Sequence, residues 1–356
     1  MNDKKKVLVA ALNWGLGHAT RCVPIIRFLQ QQNAEVFLAS DGRAFHLLKK
    51  EFPELPIFEL PSYGITYRTS SMIFNFAFLF PKMFTAISKE KKVIEKLVEE
   101  HQLDIIISDN RFGCHAAAAY NIFMTHQLNI PIPMPVVNQI GNWYNHLQIK
   151  KFKECWVPDF EGTPNLAGRL SHQHNIGNTK YIGALSRMQF RSSEIKRKAI
   201  IILSGPEPQR TYLEKKIIQQ AKELQFQFLI VKGQTEQQEH FFIEKNIEVF
   251  SFLTSEDLEK AIAESEVVIS RSGYTTLMDL VFLEKKAILI PTPGQTEQEY
   301  LAKHFHQQKI FFTQNQKAFN LKNALEQVNN FSGFDKSMFR KSLFEKNVIE
   351  LLKKES

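Results

Sequence analysis

The loop at residues 13–21 contains the first side chain of this sequence that could perform acid–base chemistry. It reads Asn-Trp-Gly-Leu-Gly-His-Ala-Thr-Arg and places His18 after two glycines, Gly15 and Gly17. An apolar run precedes the loop, which we therefore predict to join a strand to a helix. At a helix start the macrodipole favours a neutral imidazole, which can act as a general base near pH 7. A helix-capping or hydrogen-bonded loop histidine is the alternative interpretation of His18.

Asp109 is the second candidate base. It lies in the sequence Ser-Asp-Asn-Arg, immediately after the apolar run at residues 104–108. A carboxylate just beyond a parallel strand is expected to point toward a bound ligand. The alternative role of Asp109 is to cap a helix that begins near Gly113.

The two glycines of the first loop also allow a nucleotide-binding interpretation. Gly15 and Gly17 would let the backbone approach an anion, which the amides at a helix start favour. A dinucleotide fingerprint competes here, because Asp41 ends the second apolar run at a suitable distance. However, Thr20 occupies the third glycine position of that fingerprint. The sequence therefore favours a site other than an NAD site.

A polar loop at residues 270–279 has the groups that a nucleoside diphosphate needs. It follows a buried apolar run and opens a helix, so backbone amides and an arginine could hold the diphosphate without a metal. An acidic residue one helical turn further on could accept hydrogen bonds from ribose hydroxyls. The candidate residues are Arg271, Ser272, Gly273, Thr275 and Asp279.

Two further loops of the second half follow apolar runs. Residues 204–210 form a proline- and glycine-rich turn, in which Gly205 and Arg210 are suited to phosphate. Residues 291–299 present amide and carboxylate groups, which suit the hydroxyls of a sugar. The candidates in this second loop are Gln295, Gln298 and Glu299.

Two series of alternating strands and helices must position these loops. Short, nearly continuous apolar strands between helices predict parallel sheets, and two series predict two Rossmann-like α/β domains with a cleft between them. The predicted strands are residues 7–11, 35–40, 104–108, 132–137, 155–157, 199–204, 226–231, 247–250, 267–270, 287–291 and 310–312. The predicted helices are residues 19–31, 113–127, 209–224, 255–263, 275–283, 296–307 and 336–353. We place the domains at residues 1–180 and 181–334, with a C-terminal helix in 335–356 that packs back toward the first domain.

Composition excludes several classes of protein. Hydrophobic residues make up 44% and charged residues 23% of the 356 residues, which is typical of a globular chain and not of a disordered one. The net charge of +8 is spread over the chain without a basic arm, so we expect no nucleic-acid partner. The three cysteines form no CxxC pair, and no apolar run reaches bilayer length. These features predict a cytoplasmic protein.

The loop residues together resemble those of a known family. The second half is similar to the donor domain of family 28-type glycosyltransferases, which have the GT-B fold. The family includes the enzyme that adds N-acetylglucosamine to the peptidoglycan lipid intermediate and the diacylglycerol glucosyltransferases. In the first half, residues 15–18 resemble the family's glycine-rich loop. The matching positions of the second half are 252–253, 269–273, Thr276, Asp279, Pro291 and 298–299.

The resemblance implies a role for each matching residue. Phe252 and Leu253 would contact uracil, Ser272 and Gly273 the diphosphate, and Asp279 the ribose. The pair at 298–299 would bind the donor sugar, and His18 would act in catalysis. The family usually has glutamate at 279, Gln-Gln or Asp-Gln at 298–299, and adjacent glycines in the loop that here reads Ser-Gly-Pro-Glu at 204–207.

We therefore expect an inverting transferase that moves a sugar from a UDP-sugar to an acceptor hydroxyl. No Asp-x-Asp tripeptide occurs, so we expect no metal and no cofactor besides the donor. The resemblance implies a lipid-linked acceptor, and a glycan is the alternative. A UDP-sugar 2-epimerase and a non-catalytic sugar-nucleotide-binding protein are the rival functions.

A phenylalanine-rich segment at residues 73–84 is the candidate membrane contact. It holds five phenylalanines and is followed by lysines through Lys96, a combination that suits an anionic bilayer surface. We expect peripheral contact with the inner face of the cell membrane. A buried helix with solvated lysines is the alternative interpretation.

Overall fold

The protein folds into two α/β units. The computed structural model describes residues 4–64, 72–132, 134–173, 176–234, 238–335 and 343–354, with the backbone alone for 72–82. One unit comprises residues 1–185 with 339–356, and the other comprises residues 186–338. Each unit contains a predominantly parallel sheet with helices between its strands, which confirms the prediction of two Rossmann-like domains.

The sheet of the first unit is parallel throughout. Within the described residues its order is β3-β2-β1-β4-β5-β6-β7. Its central strands are apolar and buried on both faces, as parallel pairing requires. The strands are β1 (Lys6–Ala11), β2 (Glu35–Ser40), β3 (Ile57–Glu59), β4 (Ile105–Asp109), β5 (Tyr120–Met124), β6 (Glu154–Val157) and β7 (Thr179–Tyr181).

The sheet of the second unit has one antiparallel edge. Among the residues described, its order is β10-β11-β9-β8-β12-β13-β14, and β10 runs antiparallel to β11. The strands are β8 (Arg197–Ile202), β9 (Phe228–Val231), β10 (His240–Glu244), β11 (Ile247–Phe250), β12 (Ser265–Ser270), β13 (Lys286–Leu289) and β14 (Phe312–Thr313).

The helices connect and cover the strands. In the part of the chain that is described, none is long and apolar enough to cross a membrane. They are α1 (Gly17–Gln31), α2 (Gly42–Glu51), α3 (Met72–His101), α4 (Pro135–Ile149), α5 (Arg169–His172), α6 (Gln209–Ala221), α7 (Ser255–Ala263), α8 (Tyr274–Leu283), α9 (Thr296–Gln307), α10 (Leu321–Gln327) and α11 (Phe344–Leu352).

Strand order determines where each unit can bind a ligand. In open parallel sheets, ligands bind at the carboxyl ends of the strands where the chain changes direction across the sheet. That point lies between β1 and β4 in the first unit and between β8 and β12 in the second. Asp109 is the last residue of β4, and His18 is the second residue of the helix that follows β1. Gly205 and Arg271 lie in the loops that follow β8 and β12.

The helix predicted at residues 113–127 is wrong. Residues 120–124 form β5 instead, between β4 and β6, with Ile122, Phe123 and Met124 fully buried. The alanine run at 116–119 favours a helix locally, but the Asn121 amide bonds the backbone of Ala116 and holds the run in a turn. Burial in the sheet therefore outweighs helix propensity.

The strand predicted at residues 132–137 is also wrong, because α4 begins at Pro135. Proline suits the first turn of a helix, because a backbone N–H there would have no intrahelical acceptor and its loss costs no hydrogen bond. The proposed capping role of Asp109 fails too, since the described residues near Gly113 form turns and Asp109 ends β4.

Several sequence predictions fall on residues that lie outside the described ones. They include the side chains of the phenylalanine-rich segment through Lys82 and the first part of the predicted C-terminal helix (336–342). Sequence reasoning also missed β3, β7, β10, α2, α5 and α10, and it offered a helix in the region of α3 only as the alternative interpretation of residues 73–84. The other predicted elements differ from the observed ones only near their ends.

A buried carboxylate joins the C-terminal segment to the first sheet. Glu154 on β6 accepts hydrogen bonds from Tyr120 Oη (2.9 Å), Trp156 Nε1 (2.9 Å), Lys180 Nζ (2.9 Å) and Lys354 Nζ. Burial alone would raise its pKa, but hydrogen bonds from Lys354 and Lys180 lower the pKa of Glu154 to about 2. The Phe344 ring of α11 lies 5.5 Å from the Phe28 ring of α1.

We expect Glu154→Gln to destabilise the first unit by about 1–3 kcal/mol at neutral pH, because two lysines lose their carboxylate. Since the pKa of Glu154 is lowered in the fold, this stabilisation is complete above its ordinary value of 4.5. It is lost as the pH falls toward about 2. Thermal unfolding at pH 7 and pH 3 measures the difference, with the exposed Glu161→Gln as the matched control.

Candidate functional site

Strand pairing places the two candidate bases of the first unit next to each other. β1 and β4 are neighbours, and Ala11 pairs with Asp109. The chain then continues from β1 through the glycine loop into α1, whose second residue is His18. Gly15 has φ +80°, a left-handed conformation that a side chain would strain.

His18, Asp109 and Arg21 form a hydrogen-bonded cluster. His18 Nδ1 lies 3.2 Å from Asp109 Oδ1 and 2.9 Å from Arg21 Nη2. Arg21 Nε donates to Asp109 Oδ2 at 2.7 Å, and Arg21 Nη2 also contacts Asp109 Oδ1. The side chains of Asp109 and Arg21 are 0% and 1% exposed, whereas that of His18 is 13% exposed. Of these three groups, His18 therefore has the most contact with solvent.

The contacts within the cluster determine the charges of Asp109 and His18. Burial alone would raise the pKa of Asp109, but Arg21 and His18 hold that pKa at about 2, so the carboxylate is ionised. Burial lowers the pKa of His18, and Arg21 lowers it further, while Asp109 opposes both effects. At neutral pH the imidazole is therefore uncharged.

Two tautomers of His18 fit these distances. With its proton on Nδ1, His18 donates to Asp109, and the Nε2 lone pair can accept a proton from a substrate. With its proton on Nε2, Nδ1 accepts from Arg21. The first arrangement is that of a general base whose orientation a buried carboxylate controls. Sequence reasoning treated His18 and Asp109 as rivals, but the structure brings them into contact.

A second buried ionic cluster, which sequence reasoning missed, fixes the neighbouring loops. Arg111, fully buried, donates to Asp41 Oδ1 (2.6 Å) and to Glu90 Oε1 of α3. Tyr63 Oη donates to Glu90 Oε2 at 2.7 Å, and Asn13 Nδ2 donates to Asp41 Oδ2 at 3.3 Å. Asp41, the residue that suggested a dinucleotide site, is thus bonded to its own chain.

In the second unit, Arg271 connects three loops. Its guanidinium donates to the carbonyl oxygens of Gln209 (2.9 Å), Ile290 and Pro291 (both 3.3 Å), with a 3.5 Å contact to Ser204. The side chain is 1% exposed, and burial lowers its pKa to about 10, so it remains charged at neutral pH. No carboxylate pairs with it within the described residues.

Gly205 and Arg210 lie on the loop and helix that follow β8. Gly205 has φ +101°, and a Cβ there would lie 3.3 Å from the Thr292 hydroxyl and 3.8 Å from Arg271 Nε. Arg210, in contrast to Arg271, is paired with carboxylates: Glu207 at 2.5 Å and Glu214 at 3.0 Å. Its charge is therefore compensated within its own helix and loop.

The loop between β12 and α8 holds the next group of predicted residues. Ser272 Oγ donates to the carbonyl of Gln298 at 2.8 Å, so this loop contacts α9. Gly273 occupies the cap position of α8, and no side chain caps it. Thr275 lies in the first turn of α8.

Asp279 lies in the second turn of α8. It accepts a hydrogen bond from Ser186 Oγ at 2.6 Å, and desolvation raises its pKa to about 6.

The predicted sugar-binding side chains stabilise their own loop. Gln298 Oε1 accepts from the Thr292 amide at 2.9 Å, and Glu299 Oε1 accepts from the Gly294 amide at 3.0 Å. Gln295 occupies the N-cap position of α9, where its side chain forms no capping hydrogen bond. Phe252 and Leu253 are half-buried and follow β11, which lies two strands away from β8. Strand order therefore separates this pair from the group around Arg271.

Comparisons with known proteins agree with this architecture. Residues 203–352 match the glycosyltransferase family 28 C-terminal domain. The chain is 23% identical over 307 residues to the UDP-N-acetylglucosamine--N-acetylmuramyl-(pentapeptide) pyrophosphoryl-undecaprenol N-acetylglucosamine transferase of Haemophilus influenzae, covering 84% of this chain and 81% of the relative.

Solved structures show the same fold. The glycotransferase of kitacinnamycin superposes with a TM-score of 0.67 at 12% identity, covering 98% of this chain and 99% of that one. Acinetobacter baumannii MurG superposes with a TM-score of 0.59 at 15% identity and the same coverage. The predicted GT-B fold is thereby confirmed.

Proposed function

Because this chain is a glycosyltransferase of the family 28 type, we propose that it transfers a hexosyl or N-acetylhexosaminyl group from a UDP-sugar to an acceptor hydroxyl. The observation that supports this most strongly is the His18–Asp109–Arg21 cluster at the switch point of the first sheet. A neutral histidine oriented by an ionised carboxylate is suited to removing a hydroxyl proton.

His18 is the proposed base, and Asp109 is its positioning residue. Asp109 is fully buried and bonded to Arg21, so it cannot reach an acceptor, whereas its carboxylate can hold the His18 proton on Nδ1. His18 Nε2 then takes the acceptor proton as the acceptor oxygen attacks the anomeric carbon. The bond from that carbon to the phosphate oxygen breaks, and its electron pair leaves with UDP. Attack opposite the leaving group inverts the anomeric centre.

Arg271 and the start of α8 are the proposed stabilisers of departing UDP. The developing charge on the diphosphate is favoured by backbone amides at a helix start and by a preorganised cation. Arg271 donates to carbonyl oxygens and to no carboxylate among the described residues, so no ion pair neutralises its charge. The charge of Arg210, in contrast, is neutralised by Glu207 and Glu214. With this cation in place and no Asp-x-Asp tripeptide in the sequence, we propose metal-independent transfer with no cofactor besides the donor.

The remaining donor contacts follow the sequence prediction. Asp279 would accept hydrogen bonds from the ribose, and Phe252 with Leu253 would contact the base. Gln298 and Glu299 would bind the sugar by giving up their hydrogen bonds to the loop amides and forming hydrogen bonds with the sugar hydroxyls. The relative from Haemophilus influenzae acts on an undecaprenol-linked acceptor, which supports a lipid-linked acceptor here.

A panel of nucleotides tests the donor site. We expect UDP and UDP-sugars, but not NADH, to stabilise the protein by about 2.7 kcal/mol at a concentration one hundred times the dissociation constant. Transfer assays with lipid extracts then identify the acceptor. A new UDP-sugar formed without any acceptor would indicate an epimerase, and nucleotide binding without transfer to any acceptor would indicate a binding protein.

The rate of transfer should depend on pH through His18. Because burial lowers its pKa below the ordinary value of 6.5, kcat should be constant above that pH and fall by about tenfold per pH unit below the lowered pKa. The kcat measurement needs saturating donor. Desolvation raises the pKa of Asp279 to about 6, and protonation of Asp279 below that pH should raise the donor KM. An acid limb of kcat whose midpoint lies above pH 6.5 would contradict the assignment of the base to His18.

A further inference from the structure

A buried threonine hydroxyl in the second unit has no hydrogen-bond partner among the described residues. Thr292 lies in the loop that follows β13 and is 1% exposed. Its amide accepts no such isolation, since it donates to Gln298 Oε1 at 2.9 Å, but Thr292 Oγ1 forms no hydrogen bond within the described chain. Folded proteins pair most of their buried polar atoms, because an unpaired one has lost its hydration without replacement. A hydroxyl that stays unpaired at this cost is a candidate contact for a ligand.

Gly205 lies opposite this hydroxyl, in the loop that follows β8. A Cβ at Gly205 would lie 3.3 Å from Thr292 Oγ1 and 3.8 Å from Arg271 Nε. Apart from the chain neighbours of Gly205, no other described atom lies within 4 Å of that position. The φ of +101° favours glycine here, so the two polar groups meet beside a residue that has no side chain.

Both of these groups can donate a hydrogen bond. Thr292 supplies a neutral hydroxyl, and Arg271 Nε supplies a charged N–H. The contact of Arg271 Nε with the Ser204 carbonyl, at 3.5 Å, is the longest of the four that the guanidinium makes with backbone carbonyls. An acceptor that binds between a hydroxyl and a guanidinium is most favourable when it is an anionic oxygen. The position follows β8 and precedes α6, where a parallel sheet and a helix start both favour phosphate.

We propose that Thr292 Oγ1 donates a hydrogen bond to a diphosphate oxygen of the donor, at the position between Gly205 and Arg271. This contact presupposes the nucleoside diphosphate donor of the proposed function and adds a residue to its binding site. The family resemblance assigns the diphosphate to Ser272 and Gly273 and gives Thr292 no role. Because the hydroxyl is covered by its surroundings, we expect the Gly205 loop to move as the phosphate oxygen enters.

Thr292→Val distinguishes a ligand contact from a structural one. Valine has nearly the shape of threonine without the hydroxyl, so the affinity for UDP should fall by about tenfold. The affinity for uridine, which has no phosphate, should not change. Because the hydroxyl is unpaired in the protein alone, its removal should leave the melting temperature unchanged or raise it. A purely structural hydroxyl would give a lower melting temperature and equal losses for UDP and uridine.

Thr179→Val is the matched control. Thr179 Oγ1, on β7 of the first unit, is also buried without a hydrogen-bond partner among the described residues. This variant therefore removes the same kind of group from the other unit, and it should bind UDP with wild-type affinity. Thr292→Ser keeps the hydroxyl and should retain most of the affinity that Thr292→Val loses.

Calorimetric titration with UDP, dTDP, GDP and ADP separates a failure of this contact from a failure of the proposed donor. Equal affinity of Thr292→Val and the wild type for the diphosphate that binds would overturn the Thr292 contact and leave the proposed function in place. If the wild type binds another of these diphosphates instead of UDP, the proposed donor is wrong. A loss of about tenfold for that diphosphate in Thr292→Val would still support the contact. A wild type that binds none of the four would overturn both proposals.

Discussion

Replacing His18 with alanine should lower kcat by about 10²–10⁴-fold and leave the affinity for the UDP-sugar unchanged. This is the range that a positioned general base contributes to proton transfer. The loss should appear in kcat because His18 lies on the first unit and the proposed nucleotide contacts lie on the second. Steady-state kinetics for kcat and calorimetry for UDP binding measure the two quantities separately.

Asp109→Asn distinguishes the two candidate bases. If Asp109 positions His18, the variant should lose about 10²-fold in kcat, because the amide no longer favours the proton on Nδ1. The acid limb of kcat should also move to lower pH, since Asp109 raises the pKa of His18 in the native protein. If Asp109 were the base itself, His18→Ala would retain most of the activity. Because Asp109→Asn leaves the buried Arg21 without its carboxylate, melting temperatures must accompany both measurements.

Arg271→Met should weaken UDP binding by about 10–100-fold. The guanidinium binds carbonyls in the segments that follow β8 and β13, and it supplies a charge that no carboxylate among the described residues compensates. Its removal should displace the loops and remove the attraction for the diphosphate, which corresponds to about 1.5–3 kcal/mol for a charge-assisted hydrogen bond. Calorimetric titration with UDP measures the change.

Arg210→Met is the matched control for this substitution. Arg210 is also buried, but its charge is paired with Glu207 and Glu214, so its loss should reduce UDP affinity less than the loss of Arg271. Arg271→Lys keeps the charge and should recover part of the binding. An effect of Arg210→Met equal to that of Arg271→Met would contradict the assignment of the leaving-group charge to Arg271.

The architecture was largely predictable because it depends on local patterns. Short buried strands such as β1 and β12 appear as continuous apolar runs, and the loops that follow them are where parallel sheets place ligands. The wrong helix at residues 113–127 arose from an alanine run whose helix propensity is outweighed by the burial of Ile122 and Phe123 in the sheet. Propensity acts over a few residues, whereas the position between β4 and β6 is set by the whole unit.

The contacts within the site were less predictable because they join distant parts of the chain. His18 and Asp109 are separated by 91 positions, and Arg111 and Glu90 by 21, so no spacing indicates that they meet. Arg21 is the exception. It lies three residues after His18 on α1, the spacing at which helical side chains face the same side. That signal could have identified the third member of the cluster.

The most direct test of the proposed function follows the sugar of the donor. A UDP-sugar labelled in its sugar ring is incubated with the protein and a lipid extract, in buffer containing a chelator. We expect wild-type protein to move the label into the lipid fraction and to release one UDP for each sugar transferred. We expect His18→Ala to do so at least about 10²-fold more slowly. Label that stays on the nucleotide for every UDP-sugar and every extract, or equal transfer by His18→Ala, would contradict the proposed function.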